Sequence, residues 1–436
     1  MIISPAKQIR GSISLPGDKS ISHRAAMIAA LADGVSRLTN YSTSADCAAT
    51  LSCLGQLGVR IERNDAEILI HGAGQNGLQA PLKELDCGNS GTTMRLLAGI
   101  LAGQNLGATL TGDQSLRSRP MQRIIEPLEM MGAQVSSHDG RAPLTILGRP
   151  PLAAIDYELL IASAQVKSCI LLAGLNADGK TTVIENEVTR DHTERMLPLF
   201  GVKIETGNKD EHRRFARVTG PAKLAAHDVA IPGDVSSAAY FIAAAILLGS
   251  SLEISNVGVN PTRLLFLKIL ATLGLMEVTN LPQETNEPVG TVQVQGVAQS
   301  PAWDGLESPL KFEGLDIPLL IDELPLLAVV GSQVRGGIEI RDAEELRSKE
   351  SDRIASTVTN LRAMGAEVEE FRDGLRVSGS TKLQGARIDP RGDHRIAMAF
   401  SVAALIAEGE SEINDAECVA VSFPEFFELL DSIAER

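Results

Sequence analysis

Two kinds of helical segment alternate along this chain, and they differ in where their apolar residues fall. The first kind opens on a polar cluster and then turns apolar or small on every side: GDKSISHR runs directly into AAMIAALADG. A helix that is apolar all round is buried, so only its first turns are left to meet solvent or a ligand. The second kind carries a single stripe. Ile354, Val358, Leu361 and Met364 follow helical spacing, with Thr357, Asn360 and Arg362 expected outside. Short alternating or β-branched stretches such as VSRLTNY, ATLTG and KTTVIEN separate the two kinds and predict strands.

Together these pieces make one module: buried helix, strand, amphipathic helix, glycine, two strands. It opens six times, on GDKSISHR, CGNSGTTMR, SAQVKS, PGDVSSAAYF, DIPLLIDELPLLAVV and RGDHRIAMAF. The period is roughly 70–80 residues, which marks an internal repeat. The two strands of the first copy are expected around Asn64-Asp65. The sixth copy stops after its second helix, and the strand-like start KQIRGSISLPG is the expected donor of what it lacks. The resulting expectation is an α/β (α+β) chain of two three-module domains. One comprises residues 1–17 with 233–436 and the other residues 18–232. An open solenoid of six repeats fits less well, because the first helices are too apolar to line a groove.

Chemistry collects at the starts of the buried helices: Lys19, Ser20, Arg24; Asn89, Gly91, Thr92, Arg95; Ser163, Gln165, Lys167; Asp234, Ser236; Asp322, Glu323; His394, Arg395. Loops add Arg117, Arg119, Arg190 and the run Arg347-Ser348-Lys349-Glu350-Ser351-Asp352-Arg353. Helix N-termini attract anions, and cations outnumber anions in this set, which predicts a site for small polyanions. A nucleotide P-loop is excluded: Asp18 separates Gly17 from Lys19, and no glycine lies five positions before Gly17. Blander roles compete for each group. Lys349 to Arg353 could be a solvated helix start with i, i+3 or i+4 pairs, Asp322-Glu323 a cap, and Asn89 to Thr93 a capped turn. His394 reads as structural, since Arg395 beside it disfavours a second proton. Recurrence of polar helix starts in all six modules favours a site.

The composition narrows the partners. With 436 residues, 44% hydrophobic and 22% charged, this is an ordinary soluble globular chain long enough for two domains. A net charge of −15, 3% aromatics and one tryptophan, Trp303, argue against nucleic acid and anionic membranes. Five scattered cysteines read as reduced thiols in the cytoplasm. Seven histidines without ligand spacing predict no metal. MIISPAKQIRG lacks a signal-peptide core, and the apolar run around 238–248 is too short for a bilayer.

In order, GDKSISHR, GNSGTTMR, the Arg-Pro of SRPM, SAQVKS, RDHTE, PGDVSSAAYF, IDELP, LRSKESDR and GDHRIAM span nearly the whole chain. This series resembles the 5-enolpyruvylshikimate-3-phosphate (EPSP) synthases, and most nearly the variant with GDKSISHR and SAQVKS. The resemblance implies two domains of three repeated β-α-β-α-β-β units, helices inside and sheets outside, with the active site in the cleft between them. It implies transfer of the enolpyruvyl group of phosphoenolpyruvate to the 5-hydroxyl of shikimate 3-phosphate, releasing phosphate. That is a step of the shikimate pathway to chorismate and the aromatic amino acids. No cofactor or metal is implied, the partners are small anionic substrates, and a cytoplasmic monomer is expected.

Carried over by motif, Lys19, Ser20, Arg24, Ser163, Ala164, Gln165, Arg190, Asp322 and Lys349 would hold shikimate 3-phosphate. Lys19, Gly91, Arg119, Gln165, Arg353 and Arg395 would hold phosphoenolpyruvate. Asp322, Glu350 and Lys19 would be catalytic, with Glu350 facing the methylene carbon. Two positions depart from the family pattern: Ala164 stands where many members have serine, and Ser422 where many have lysine. The related transferase acting on UDP-N-acetylglucosamine is disfavoured, because it opens on a GAKN-type motif and uses a loop cysteine that Arg117 to Met121 lacks. A non-enzymatic polyanion binder would have no use for Asp322 and Glu350.

Overall fold

A computed structural model describes residues 1–64, 67–211, 213–273, 275–280, 287–295 and 308–436. Asp65 of the expected turn and Trp303 lie outside them. The first module reads helix Lys19–Ala30, strand Asp33–Thr39, helix Ala45–Gln56, then strands Arg60–Arg63 and Glu67–Ala73. The other inner helices are Gly91–Ala102, Ala164–Gly174, Val235–Leu247, Leu324–Gly331 and His394–Leu405, each followed by a strand.

Every module also has a short strand parallel to the one after its inner helix. Leu85–Asp86 lies beside Gly107–Thr111, Leu310–Phe312 beside Ile338–Ile340, and Arg387–Ile388 beside Ser411–Ile413. In the first and fourth modules this strand is exchanged. Gly11–Ser14 precedes the Lys19 helix in the chain but pairs with Leu252–Gly258 of the fourth module. Val229–Ala230 precedes the Val235 helix but pairs with Asp33–Thr39 of the first. The N-terminus finishes the sixth module: Ile2–Ile3 pairs antiparallel with Ser411–Ile413, and Gln8–Ile9 with Ala434–Glu435.

The chain forms two compact units. One holds Met1–Pro16 and the described residues from Gly233 onward except Glu287; the other holds the described residues of Gly17–Pro232 with Glu287. Each has its own apolar core built on its three inner helices. Small residues let those helices touch at backbone level. A Cβ on Gly99 would stand 2.2 Å from the Cys169 carbonyl oxygen on the Ala164 helix. The five cysteines are unpaired and buried. Among the described residues no helix is long and apolar enough to cross a membrane.

Two local expectations change. DIPLLIDELPLLAVV is two helices, Ile317–Leu320 and Leu324–Gly331, because Pro325 cannot continue a helix begun before it. The break leaves Asp322 and Glu323 between them. Thr357 and Asn360 are buried rather than outside their stripe. The Asn360 amide donates to the Ser356 and Asp389 carbonyls and accepts from the Asp389 N–H, so a polar residue is fully used in a dry place. Gly17, just before the Lys19 helix, permits close approach, since a Cβ there would stand 1.8 Å from the Asn40 carbonyl oxygen.

Candidate functional site

In the Gly17–Pro232 unit the polar starts of the three inner helices are bonded to one another. Asp18 caps the Lys19 helix through the Ile21 N–H, Ser90 caps the Gly91 helix through Thr93, and Ser163 caps the Ala164 helix through Val166. Gln165 then bridges two of them: its Oε1 accepts from Arg95 Nη1 at 2.6 Å, and its Nε2 donates to Thr92 Oγ1 at 2.9 Å. Arg24 reaches from the second turn of its helix to Ser168 on the Ala164 helix, Nη2 to Oγ at 2.8 Å. Side chains this early in each helix can meet only if the N-termini lie side by side. The capped-turn alternative for Asn89 to Thr93 is therefore true and incomplete: the cap is there, and the turn it opens is part of the network.

Lys19 pairs with Asp46 at 3.0 Å, a residue absent from the sequence-derived set. Arg119 is buried and donates to Asn89 Oδ1 at 2.7 Å and Ser115 Oγ at 3.2 Å. Gly91 begins its helix without a positive φ, and a Cβ on it would meet Arg95 Nη1 at 2.8 Å and Arg119 Nη1 at 3.4 Å. Arg24 is buried, and burial pushes its guanidinium down to about 10 against the counter-charge of Glu194, with Arg190 pushing the same way. Ser20, beside Lys19, has its carbonyl bonded to Arg24 Nη1 at 2.8 Å. Ala164 is the first residue of its helix and offers its carbonyl to Ser168 Oγ. The named hydrogen bonds of Arg24, Arg95 and Arg119 go to neutral acceptors.

Below this layer His23 is wholly buried, its Nδ1 2.7 Å from Thr50 Oγ1, which is 2.7 Å from Thr93 Oγ1. Burial holds the imidazole well below its usual range, helped by Lys19 and Arg24. Lys167 is also buried, 3.0 Å from Glu185 and 2.7 Å from Glu194. Burial opposes its charge, but the two glutamates prevail and raise it. Lys167 is thus a packed ion-pair centre rather than a ligand at the helix start.

The other unit brings Asp322, Glu350, Arg353 and Arg395 together. Arg353 is 1% exposed. Its Nε donates to Asp393 at 2.8 Å, its Nη2 to Glu350 at 2.6 Å, and its Nη1 stands 3.5 Å from Asp322 without completing a hydrogen bond. Arg395 Nη2 is 3.3 Å from the other oxygen of Asp322, and its Nη1 is 3.9 Å from Glu323. Burial works against both guanidiniums, yet Asp393 and Glu350 raise Arg353, and Asp322 leads in raising Arg395. Ser236 donates to Glu323 in a very short contact and accepts from Arg263, which also faces Asp234.

Two sequence expectations are corrected here. Glu323 does not cap through its side chain: it holds the cap position of the Leu324 helix without a side-chain bond to it. The expectation that cations outnumber anions fails in this unit. Arg263, Arg353 and Arg395 face Asp234, Asp322, Glu323, Glu350 and Asp393, three positive charges against five negative. The solvated-helix-start alternative fails for Arg353 and holds for two of its neighbours. Lys349 takes the i, i−4 partner Glu345 at 2.7 Å, and Asp352 caps the Arg353 helix while pairing with Arg347. His394 is buried, in keeping with a structural residue. The Ser422 hydroxyl is buried without a hydrogen-bond partner among the described residues. Asp393, fully buried, was missed, although its place directly before the His394 helix marks it as an N-cap. Asp46 carried the weaker sign of an acid in a first helical turn.

Among the described residues no three histidine, cysteine, aspartate or glutamate side chains are grouped to hold a metal ion. Comparison with known proteins accounts for the whole chain. The family model described as EPSP synthase (3-phosphoshikimate 1-carboxyvinyltransferase) matches residues 3–430. The 3-phosphoshikimate 1-carboxyvinyltransferase of Koribacter versatilis is 52% identical over 440 residues, covering 100% of this chain and 99% of that protein. The protein of that name from Solibacter usitatus is 48% identical, covering 99% of each. A solved structure of EPSP synthase from Acinetobacter baumannii superposes with a TM-score of 0.84 at 39% identity, over 99% of this chain and 97% of that one. With a family model spanning both units and such relatives along its full length, the chain belongs to the EPSP synthase family.

Proposed function

We propose that the two polar clusters serve one pair of substrates. The reaction is transfer of the enolpyruvyl group from phosphoenolpyruvate to the 5-hydroxyl of shikimate 3-phosphate. The observation that carries the reading is the arrangement around Asp322, with Arg353 and Arg395 3.5 and 3.3 Å from its two oxygens and Glu350 2.6 Å from Arg353. Two carboxylates in different settings, steadied by the one arginine they share, suit a reaction that needs protons moved at two atoms.

The addition joins the 5-oxygen to C2 of phosphoenolpyruvate while C3 gains a proton. The elimination removes a proton from the new methyl group as the C2–O bond to phosphate breaks. Glu350 is assigned to the carbon that gains and loses the proton, and Asp322 to the hydroxyl, with Lys349 beside it. Lys19, Ser20, Arg24, Ser163, Gln165 and Arg190 hold shikimate 3-phosphate, Ala164 contributing backbone alone. Gly91, Arg119, Arg353 and Arg395 hold phosphoenolpyruvate, which Lys19 and Gln165 also touch. Arg353 Nη1, buried and lacking a hydrogen bond, supports that assignment. Fixed cations are stronger than water at neutralising a leaving phosphate because they need not reorient. The working form is taken to be a cytoplasmic monomer that needs neither metal nor cofactor and binds no nucleic acid.

The test is a phosphate-release assay on the purified chain. Phosphate should appear only when both substrates are present, and at the same rate in EDTA. Release from phosphoenolpyruvate alone, or activity lost to EDTA and restored by a divalent ion, would overturn the assignment.

A further inference from the structure

We infer that Thr193 and Ser168 are positioning residues for Arg24, acting as a clasp that fixes its guanidinium for shikimate 3-phosphate; the inference rests on the function proposed above. Arg24 has five N–H donors. Nε donates to Thr193 Oγ1 at 2.8 Å, Nη2 to Ser168 Oγ at 2.8 Å, and Nη1 to the Ser20 carbonyl at 2.8 Å. The two hydroxyls are 2.7 Å apart, and Ser168 Oγ donates to the Ala164 carbonyl at 2.7 Å.

These contacts fix the direction of every proton. Ser168 spends its one hydrogen on Ala164, so Thr193 must donate to Ser168. Each hydroxyl then accepts from Arg24, and the ring Arg24–Thr193–Ser168 closes with no conflict. All three residues are buried, where an unmatched donor would be costly. Two N–H groups of Arg24 remain, one on each terminal nitrogen. Those are the donors left for a carboxylate or phosphate, the anions that a guanidinium suits.

A second rung lies one residue along on both segments. Lys167 precedes Ser168, Glu194 follows Thr193, and the two pair at 2.7 Å. This ion pair holds the Ala164 helix and the helix His192–Met196 in the register that the hydroxyl pair requires. Neither Thr193 nor Ser168 is placed against a substrate; both act through Arg24. The clasp also reaches the Ala164 carbonyl, at the position where many relatives have serine. In this chain the first turn of that helix is therefore tied down through its backbone.

The test uses the full chain with Thr193→Val, Thr193→Ser, Ser168→Ala and the double variant Thr193→Val/Ser168→Ala. Shikimate 3-phosphate binding is read by titration calorimetry, and both KM values by kinetics. Thr193→Val keeps the shape and should raise the Kd and KM for shikimate 3-phosphate at least tenfold, with the phosphoenolpyruvate KM within about twofold. Thr193→Ser should recover most of the affinity. The double variant should be no worse than the worse single, because a ring opened once is open. If Thr193→Val does not fold, Ser168→Ala carries the same expectation by itself. A folded variant binding shikimate 3-phosphate within twofold of the parent, or losing affinity for both substrates alike, would overturn the clasp. A parent chain that binds no shikimate 3-phosphate would overturn the proposed function and the clasp with it.

Discussion

Replacing Gly91 by alanine separates two things that a glycine at a helix start can do. If it served a turn, a Cβ would strain the backbone, but its φ is not positive and alanine is the better helix former by about 1 kcal/mol. The added carbon meets side chains instead, 2.8 Å from Arg95 Nη1 and 3.4 Å from Arg119 Nη1. To restore ordinary contact the Arg95 tip must retreat by roughly half an ångström or more. That atom makes the 2.6 Å bond to Gln165, which such a shift stretches to the edge of hydrogen bonding. A hydrogen bond to a charged group contributes about 1.5–3 kcal/mol, so up to ten- to hundredfold in affinity is at stake, at roughly 1.4 kcal/mol per factor of ten. Gly91→Ala should therefore melt close to the parent temperature, the helix gain offsetting part of the lost bond, and raise the phosphoenolpyruvate KM about tenfold. Gly99→Ala, in the same helix, is the control. Its Cβ would stand 2.2 Å from backbone on the neighbouring helix, and overpacking of that kind costs about 1–3 kcal/mol or more. It should lower the melting temperature and leave KM alone. The opposite pattern, a less stable Gly91→Ala with an unchanged phosphoenolpyruvate KM, would refute the reasoning.

Asp322→Asn and Glu350→Gln should each lower kcat by ~10²–10⁴-fold and still fold, because the cluster retains more carboxylates than arginines; turnover within a few-fold of the parent would remove the catalytic assignment. Lys167→Met should destabilise its unit by about 3–5 kcal/mol, the cost of leaving buried charge unpaired, read as a lower urea midpoint; an unchanged midpoint would mean that Glu185 and Glu194 are not held by Lys167. His23 is kept neutral in the folded chain, its pKa far below the unfolded value of ~6.5. The unfolded state therefore binds the extra proton, and stability falls as pH drops through about 6.5, by up to ~1.4 kcal/mol per pH unit. Urea midpoints at successive pH values should show that slope reduced in His23→Asn, and an equal slope would count against it.

The modules were legible because each rests on local physics that repeats. The inner helices declare themselves by lacking a polar face after the first turn. The outer helices end on Gly58, Gly132, Gly201 and Gly365, all at positive φ where a side chain is disfavoured. The strand exchange was only half legible. The sequence shows that the sixth module lacks strands and that the N-terminus has some to give. Nothing local shows that Gly11–Ser14 pairs with Leu252–Gly258, since that partner lies over 200 positions away. The same limit explains the break at Asp322, where one proline outweighs an otherwise continuous apolar run.

Which residues gather at the helix starts could be read; the sign of the charge they make together could not. Arg353 and Arg395 look like bare cations in sequence because Asp393 is hidden in a capping position and Glu350 and Asp322 look like caps or surface pairs. Once folded, the buried arginines are surrounded by more carboxylates than they can neutralise. That changes what each arginine contributes. In the Gly17–Pro232 unit, the named hydrogen bonds of Arg24, Arg95 and Arg119 go to neutral hydroxyls, amides and carbonyls. Around Asp322 the arginines are largely committed to protein carboxylates, and an incoming anion must share them. Sharing is a useful arrangement for proton transfer. An anion that draws Arg353 toward itself would loosen its hold on Asp322 and Glu350 together, freeing both for the hydroxyl and the carbon that the proposed function assigns them.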